Sequence, residues 1–190
     1  MKDFLLILSA LITIFAVLPY ISDILRKKTK PNITSWITWT LLFTVATIAE
    51  FASGERRTAF FTGSVAVETL LVVILGNRYG YAKYTKFDAV CQILALAGFV
   101  VWWLFNNPLA AVIFVVLIDL LACLPTLEHS WFSPTEETWQ TFALSGVGAF
   151  VAIFALTSFT WTSLIYPVYL VLINAIITTL ILSRRRFSIR

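Results

Sequence analysis

Charge is what this sequence has least of: 13% of its 190 residues are Asp, Glu, Lys or Arg, against roughly 25% in soluble domains. With 59% hydrophobic residues and a mean hydropathy of +0.89, the chain lacks the polar surface that water requires. It has one histidine, His129, placed in a loop between apolar runs, so no Cys or His cluster offers a zinc site. No glycine motif that cradles phosphate is present. Its two cysteines, Cys91 and Cys123, fall inside apolar stretches; they are too few for a disulfide framework and read as packing residues. These absences leave no expectation of an enzyme, a cofactor or a metal centre. The net charge of +4 comes from Lys and Arg beside apolar runs, a topology signal and not a nucleic-acid footprint.

What the sequence has is long apolar runs, at approximately 4–20, 33–51, 58–75, 89–105, 109–124, 138–159 and 163–182. Each approaches the length of about 20 residues that crosses a bilayer, and seven of them leave no room for a soluble domain. In lipid a segment must satisfy its own backbone, so these runs are expected to be helices. They lack the strict alternation of a β-barrel. Between them lie LRKKTKPN, SGERR, GNRYGYAKYTK, NNP, EHSWFSPTEE and TSFTWTS, all with loop chemistry. The first run, preceded by Lys2, imitates a signal peptide. Pro19 and Tyr20 lead directly into a basic loop without a small-residue cleavage site, so the run is read as a mature span. Lys and Arg number eleven on the side of the first loop and three on the other. That bias puts the N-terminus outside and the C-terminus in the cytosol of a multi-pass cell (inner) membrane protein.

An internal repeat organises the spans. Leu18-Pro19 closes the first run and Leu124-Pro125 the fifth, in the blocks LPYISDILRKKTKPNITSW and LPTLEHSWFSPTEETW. In each, a later proline precedes a tryptophan by five residues: Pro31 before Trp36, and Pro134 before Trp139. Pro31 and Pro134 suit a first helical turn, with Thr34 or Ser35, and Thr135, as capping residues. Arg78 lies 60 residues after Leu18, as Arg184 does after Leu124. The repeating unit is three helices, and the run at 89–105 is left over. One additional crossing gives both copies the same orientation, a parallel repeat about an axis along the membrane normal. The expected fold is therefore an all-α membrane protein of seven transmembrane helices in a 3+1+3 plan. Residues 1–80 form the first three-helix repeat, 81–106 the linker helix, and 107–190 the second repeat with its basic tail.

These landmarks resemble the PQ-loop superfamily, whose seven-helix members include the SWEET transporters, and the style of LPTLEHSWFSPTEE is similar to that of a bacterial branch. The closest stretch is LPYISDILRKKTKPNITSWITW, with Tyr20 where the motif has glutamine and Thr126 there in the second copy. The resemblance implies that Pro19 and Pro125 are hinges, flanked by Tyr20 and Thr126 at a cytosolic gate. The plain alternative is that both prolines end their helices.

Acids inside apolar runs are expensive, by roughly 2.5 to 3.5 kcal/mol on insertion scales. Glu68 stands near the middle of the third run with no charged residue within a helical turn. Measured from the Leu-Pro pairs, Glu68 and Asn174 are equivalent, each 50 residues beyond its leucine. The resemblance makes Asn174 a substrate-facing amide and puts an acid at the matching place, which suits a cationic substrate or proton coupling. The alternative for Glu68 is a protonated acid bonded to a neighbouring helix. Asp119 either lines the same cavity or bonds to Thr13 or Tyr20. Glu50 reads as an interfacial acid in reach of Arg56 and Arg57, and Asp88 as a helix-start residue. The tryptophans fall near span ends, as an interfacial belt would, and no second- or sixth-span tryptophan stands at mid-depth as in a SWEET sugar pocket.

The resulting expectation is a transporter of a small polar solute, whether sugar, amino acid or vitamin-like. It would work by alternating access between the two halves, with Glu68 as the candidate proton relay. A non-transporting seven-helix receptor or binding protein of the same fold is the alternative, and a vitamin-precursor transporter of the PnuC kind ranks below both. The expected partners are the lipid bilayer and the solute, with no nucleic acid; a homo-oligomer is compatible with the pattern.

Overall fold

The computed structural model describes residues 1–52, 54, 56–104 and 108–188. Ser53, Glu55, Phe105, Asn106, Asn107 and Arg190, all used in the sequence reading, lie outside the described residues, as do the side chains of Arg57, Trp102 and Trp103. Among the described residues the chain is helical: α1 (Lys2–Leu25), α2 (Ile33–Ala52), α3 (Arg56–Tyr79), α4 (Lys86–Leu104), α5 (Pro108–Phe132), α6 (Trp139–Ala155) and α7 (Trp161–Ser188). A single 3₁₀ turn, Pro134–Glu136, lies between α5 and α6. Five helices (α1, α2, α3, α5 and α7) are long and apolar enough to cross a membrane, and α6 is a shorter apolar helix.

The helix ends correct several expectations. Neither Leu-Pro pair closes a helix: Pro19 is internal to α1, which continues to Leu25, and Pro125 is internal to α5, which continues to Phe132. His129 is consequently in the last turn of α5 and not in a loop. What ends α1 is a Schellman motif. Lys27 takes a left-handed conformation (φ 57°), its N–H donating to the Ile24 carbonyl and that of Lys28 to the Asp23 carbonyl. The prolines only remove one amide donor each, from the bonds to the Phe15 and Leu121 carbonyls, which a helix packed among others tolerates. The caps also differ from those expected. Asn32 caps α2 by accepting from the Ser35 amide at 3.3 Å, so Pro31 lies ahead of the helix. Pro134 opens the 3₁₀ turn, and Thr138 is the N-cap position of α6. Asp88 does start α4, in a reciprocal box: Thr85 N donates to Asp88 Oδ2 at 2.6 Å, and Asp88 N donates to Thr85 Oγ1 at 3.1 Å.

Helix packing follows a simple scheme. Helix α3 packs against both α1 and α2, and α7 packs against both α5 and α6. Helices α1 and α6 form the most extensive pair, α2 crosses α5, and α4 lies on α5 with a smaller contact to α2. The outer surface is apolar, with Phe4, Ile48, Ile93 and Phe150 all more than half exposed. Such a surface is stable against lipid and not against water. The largest buried side chains, among them Tyr20, Ile24, Val72, Ile177 and Ile181, gather toward the end where α1, α3, α5 and α7 finish.

Lipid supplies no hydrophobic drive between helices, so α1 and α6 are held by close approach of small residues. Ser9 Oγ donates to the Gly148 carbonyl at 2.9 Å, and a Cβ at Gly148 would sit 2.6 Å from Thr13 Oγ1. Gly148→Val is therefore expected to cost about 1–3 kcal/mol, read as a lowered melting temperature in detergent. An unchanged melt would contradict this account of the α1–α6 contact.

Candidate functional site

A cavity of about 600 Å³ opens among α1, α2, α3, α5, α6 and α7, with Phe99 of α4 on its wall. Three polar side chains on its lining, Glu68, Asp119 and Asn174, are those singled out from the sequence, and each lies at the midpoint of its helix. Helical periodicity turns these positions inward while the neighbouring Val67, Leu70, Leu120, Leu172 and Ile176 face outward.

The three differ in how they are held. The Asp119 carboxylate, 3% exposed, accepts from Tyr169 Oη at 2.7 Å and faces Cys123 Sγ at 3.6 Å. It does not bond to Thr13 or Tyr20. Thr13 donates to the Ser9 carbonyl, and the Tyr20 hydroxyl points elsewhere. Asn174 donates from Nδ2 to Leu170 O at 2.9 Å, which leaves its Oδ1 to accept. Its helix is pressed against α6 at Gly146, where a Cβ would lie 3.2 Å from Asn174 Cβ. Glu68 is half-buried, and among the described residues no neighbouring charge or hydrogen bond holds it. Glu50 also lines the cavity and has an interaction partner. Two hydroxyls on the wall, those of Thr141 and Tyr166, are buried without a hydrogen-bond partner.

Aromatic side chains complete the walls. Trp36 and Trp39 are 5% and 9% exposed and line the cavity, so they are not part of an interfacial belt. Trp131 and Trp161, at 47% and 76%, remain exposed near helix ends.

Below the tryptophans the cavity is sealed by polar contacts that run between distant parts of the chain. Tyr20 Oη donates to Glu137 Oε2 at 2.8 Å and accepts from Trp36 Nε1 at 3.2 Å. Thr126 Oγ1 donates to Ser35 Oγ at 2.8 Å. Thus Tyr20, next to Pro19, reaches the start of α6, and Thr126, next to Pro125, reaches the start of α2. Both residues are 0% exposed. Around them Thr138 Oγ1 donates to Asp23 Oδ2 at 3.0 Å and is shared with Thr29 Oγ1 at 2.6 Å. Lys30 pairs with Glu136, and Arg185 Nε donates to the Pro134 carbonyl at 2.9 Å. Arg185 also reaches the Glu137 carbonyl, and Arg184 lies 4.3 Å above the Trp131 ring.

Glu137, Thr138 and Asp23 were not among the residues singled out from the sequence, and Ser35 was singled out only as a capping residue. The available signal was position: Ser35 and Thr138 immediately precede the landmark tryptophans, Trp36 and Trp139. Among the described residues no group of three His, Cys, Asp or Glu could hold a metal ion.

No protein-family model, curated protein or solved structure matches this chain. The function must be argued from the cavity and its seal.

Glu137 is the most constrained group of that seal. Burial pushes its carboxyl up to about 8 from an ordinary 4.5, raised further by the neighbouring Glu136, with the Tyr20 hydrogen bond and Arg185 acting the other way. Its Oε1 is buried without a partner, and the favoured state is the neutral acid. Between 4.5 and about 8 the folded chain thus holds a proton that the unfolded chain releases. The contribution to stability is full below 4.5 and is lost as pH rises through about 8. Wild-type melting temperature is expected to fall across that window, and Glu137→Gln, always neutral, to flatten the fall. An identical slope in the variant would show that Glu137 does not carry it.

Proposed function

We propose that this chain is a multi-pass transporter of the cell (inner) membrane that moves a small polar solute by alternating access, with its N-terminus outside and its C-terminus in the cytosol. The observation that carries this reading is a mid-depth cavity, lined by Glu68, Asp119 and Asn174, above a seal made by Tyr20–Glu137 and Thr126–Ser35. A receptor pocket needs only the cavity. A transporter also needs a removable barrier between cavity and cytosol, and this one is built from side-chain hydrogen bonds beside two intrahelical prolines.

The 3+1+3 plan belongs to the same proposal. Exchanging α1, α2 and α3 for α5, α6 and α7 exchanges the helix partners too: α1–α3 with α5–α7, α2–α3 with α6–α7, and α1–α6 with α5–α2. Helix α4 has no counterpart, as a linker would not. The seal obeys the same exchange, since Tyr20 and Thr126 follow equivalent prolines and each crosses to the second helix of the other half. This supports placing the chain near the PQ-loop and SWEET transporters, with a tyrosine and a threonine serving where that motif has glutamine.

On this reading the basic ends of the helices are cytosolic, and the cavity, lined by Glu50, Phe61 and Ala152 near the opposite helix ends, faces outward. Opening the cytosolic side breaks bonds worth on the order of 1 kcal/mol each, a barrier that the rocking of two halves can supply. Pro19 and Pro125, each lacking one helical hydrogen bond, are the proposed bending points.

Uptake into proteoliposomes from a panel of sugars, amino acids, vitamins and small amines is expected to show saturable flux of at least one class. An imposed pH gradient should change that flux, and Glu68→Gln should abolish the pH response. Tight binding of a panel member without flux of any would contradict transport and favour a receptor. A pH response unchanged in Glu68→Gln would remove that residue from the proton path.

A further inference from the structure

The lining of the cavity is unbalanced in charge. It carries the carboxylates of Glu50, Glu68 and Asp119 and, among the described residues, no Lys, Arg or His. Asp119 is answered by Tyr169 and Cys123, and Glu50 has an interaction of its own. Glu68 has none. A carboxylate at the midpoint of an apolar bundle, facing a cavity and holding no partner, is costly unless a ligand completes it.

A second feature points to a ligand independently of the acids. Thr141 is 5% exposed, its hydroxyl has no hydrogen-bond partner, and it lines the cavity. The Tyr166 hydroxyl is likewise buried and unpartnered on the same wall. Buried hydroxyls normally find a partner, and here the space that would hold one is the cavity. The rest of the wall is mainly apolar and aromatic, with Trp36, Trp39, Phe43 and Phe142 among its side chains. Of its other polar residues, Ser9, Thr13 and Thr69 already give their hydroxyls to backbone carbonyls, and Thr62, Ser145 and Asn174 complete the lining.

From these features we infer that the cavity binds an organic ammonium ion with an apolar body. The ammonium group pairs with Glu68 and the body lies against the aromatic wall, whose ring faces attract cations. The volume, about 600 Å³, is ordinary for a small-molecule site. A sugar would bring a hydroxyl on nearly every carbon to a wall that is mainly apolar and whose Ser9, Thr13 and Thr69 hydroxyls already serve backbone carbonyls. A zwitterionic amino acid would bring a carboxylate to a site that already holds three and, among the described residues, no cationic side chain. The inference names the solute of the proposed transport cavity, but the binding it asserts does not require flux.

The test uses three matched probes: 2-phenylethylammonium, neutral 2-phenylethanol and zwitterionic phenylalanine. Each is titrated by calorimetry into the full chain in phosphatidylcholine nanodiscs, with empty nanodiscs as the blank. The ammonium is expected to bind about tenfold or more tightly than either competitor, since removing one member of a desolvated charge pair costs at least that factor. Glu68→Gln should weaken the ammonium by a similar factor and leave the alcohol unchanged, whereas Glu68→Asp, which keeps the charge, should retain most of the preference. Equal or tighter binding of the alcohol or the amino acid, no ammonium binding at millimolar concentration, or unchanged ammonium affinity in Glu68→Gln would each overturn the inference. The wild-type comparison stands even where a variant fails to fold. Ammonium binding without flux in proteoliposomes would sink transport and leave the ligand class standing; sugar flux without ammonium binding would do the reverse.

Discussion

A carboxylic acid with no exposed surface is the constraint around which this bundle closes. Glu137 lies between the end of α1 and the start of α6, and the Tyr20 hydroxyl is the donor that makes its burial tolerable. That bond fixes Tyr20 under Trp36, whose ring lies tilted against it with centroids 4.7 Å apart, and so sets the floor of the cavity. It also explains why α1 must run past Pro19: a helix ended at the proline could not bring Tyr20 beneath the tryptophan or carry Asp23 to Thr138. Lys30, Arg185 and Glu136 add a more exposed rim of contacts outside the same floor. Rim pairs of this kind contribute little individually.

Above the floor the chemistry is sparse by comparison. The cavity keeps a few polar groups at the level of the helix midpoints and surrounds them with apolar side chains, so each polar group has a large influence on what can enter. Asp119 is locked by Tyr169 and acts as part of the wall. Asn174 is fixed by its own helix and by the close passage of Gly146. Glu68 is the acid left available, and on the proposed reading it is the side chain that selects for charge.

Much of this was legible in the sequence, and the failures have physical causes. Hydropathy located the helices because lipid permits little else for an apolar run. Glu68, Asn174 and Asp119 stood out because polar groups at mid-span are rare, and all three reach one cavity. The ends of α1 and α5 were misplaced because proline was read by the rules of a water-exposed helix; in α1 the actual stop signal was a left-handed lysine, which no composition rule marks. Trp36 and Trp39 were assigned to a belt by their distance along the chain, although burial depends on which neighbour covers them. Glu137 was invisible for a related reason: an acid in the run SPTEE looks solvated until the fold brings Tyr20 over it. The Asp119–Tyr169 bond joins residues far apart in the sequence, and no local pattern encodes such a pair.

The claim on which the account turns is that the Tyr20 and Thr126 bonds are a removable barrier between the cavity and the basic face. The direct measurement is the side from which a cavity residue reacts. Ser145, on the cavity wall, is replaced by cysteine in a chain carrying Cys91→Ala and Cys123→Ser, and labelled with a membrane-impermeant maleimide in sealed vesicles of known sidedness. The account predicts labelling from the face opposite the Lys and Arg clusters, with access from the basic face gained when Tyr20→Phe and Thr126→Val are added. Labelling from the basic face in the chain with its seal intact, or no change when both bonds are removed, would contradict it.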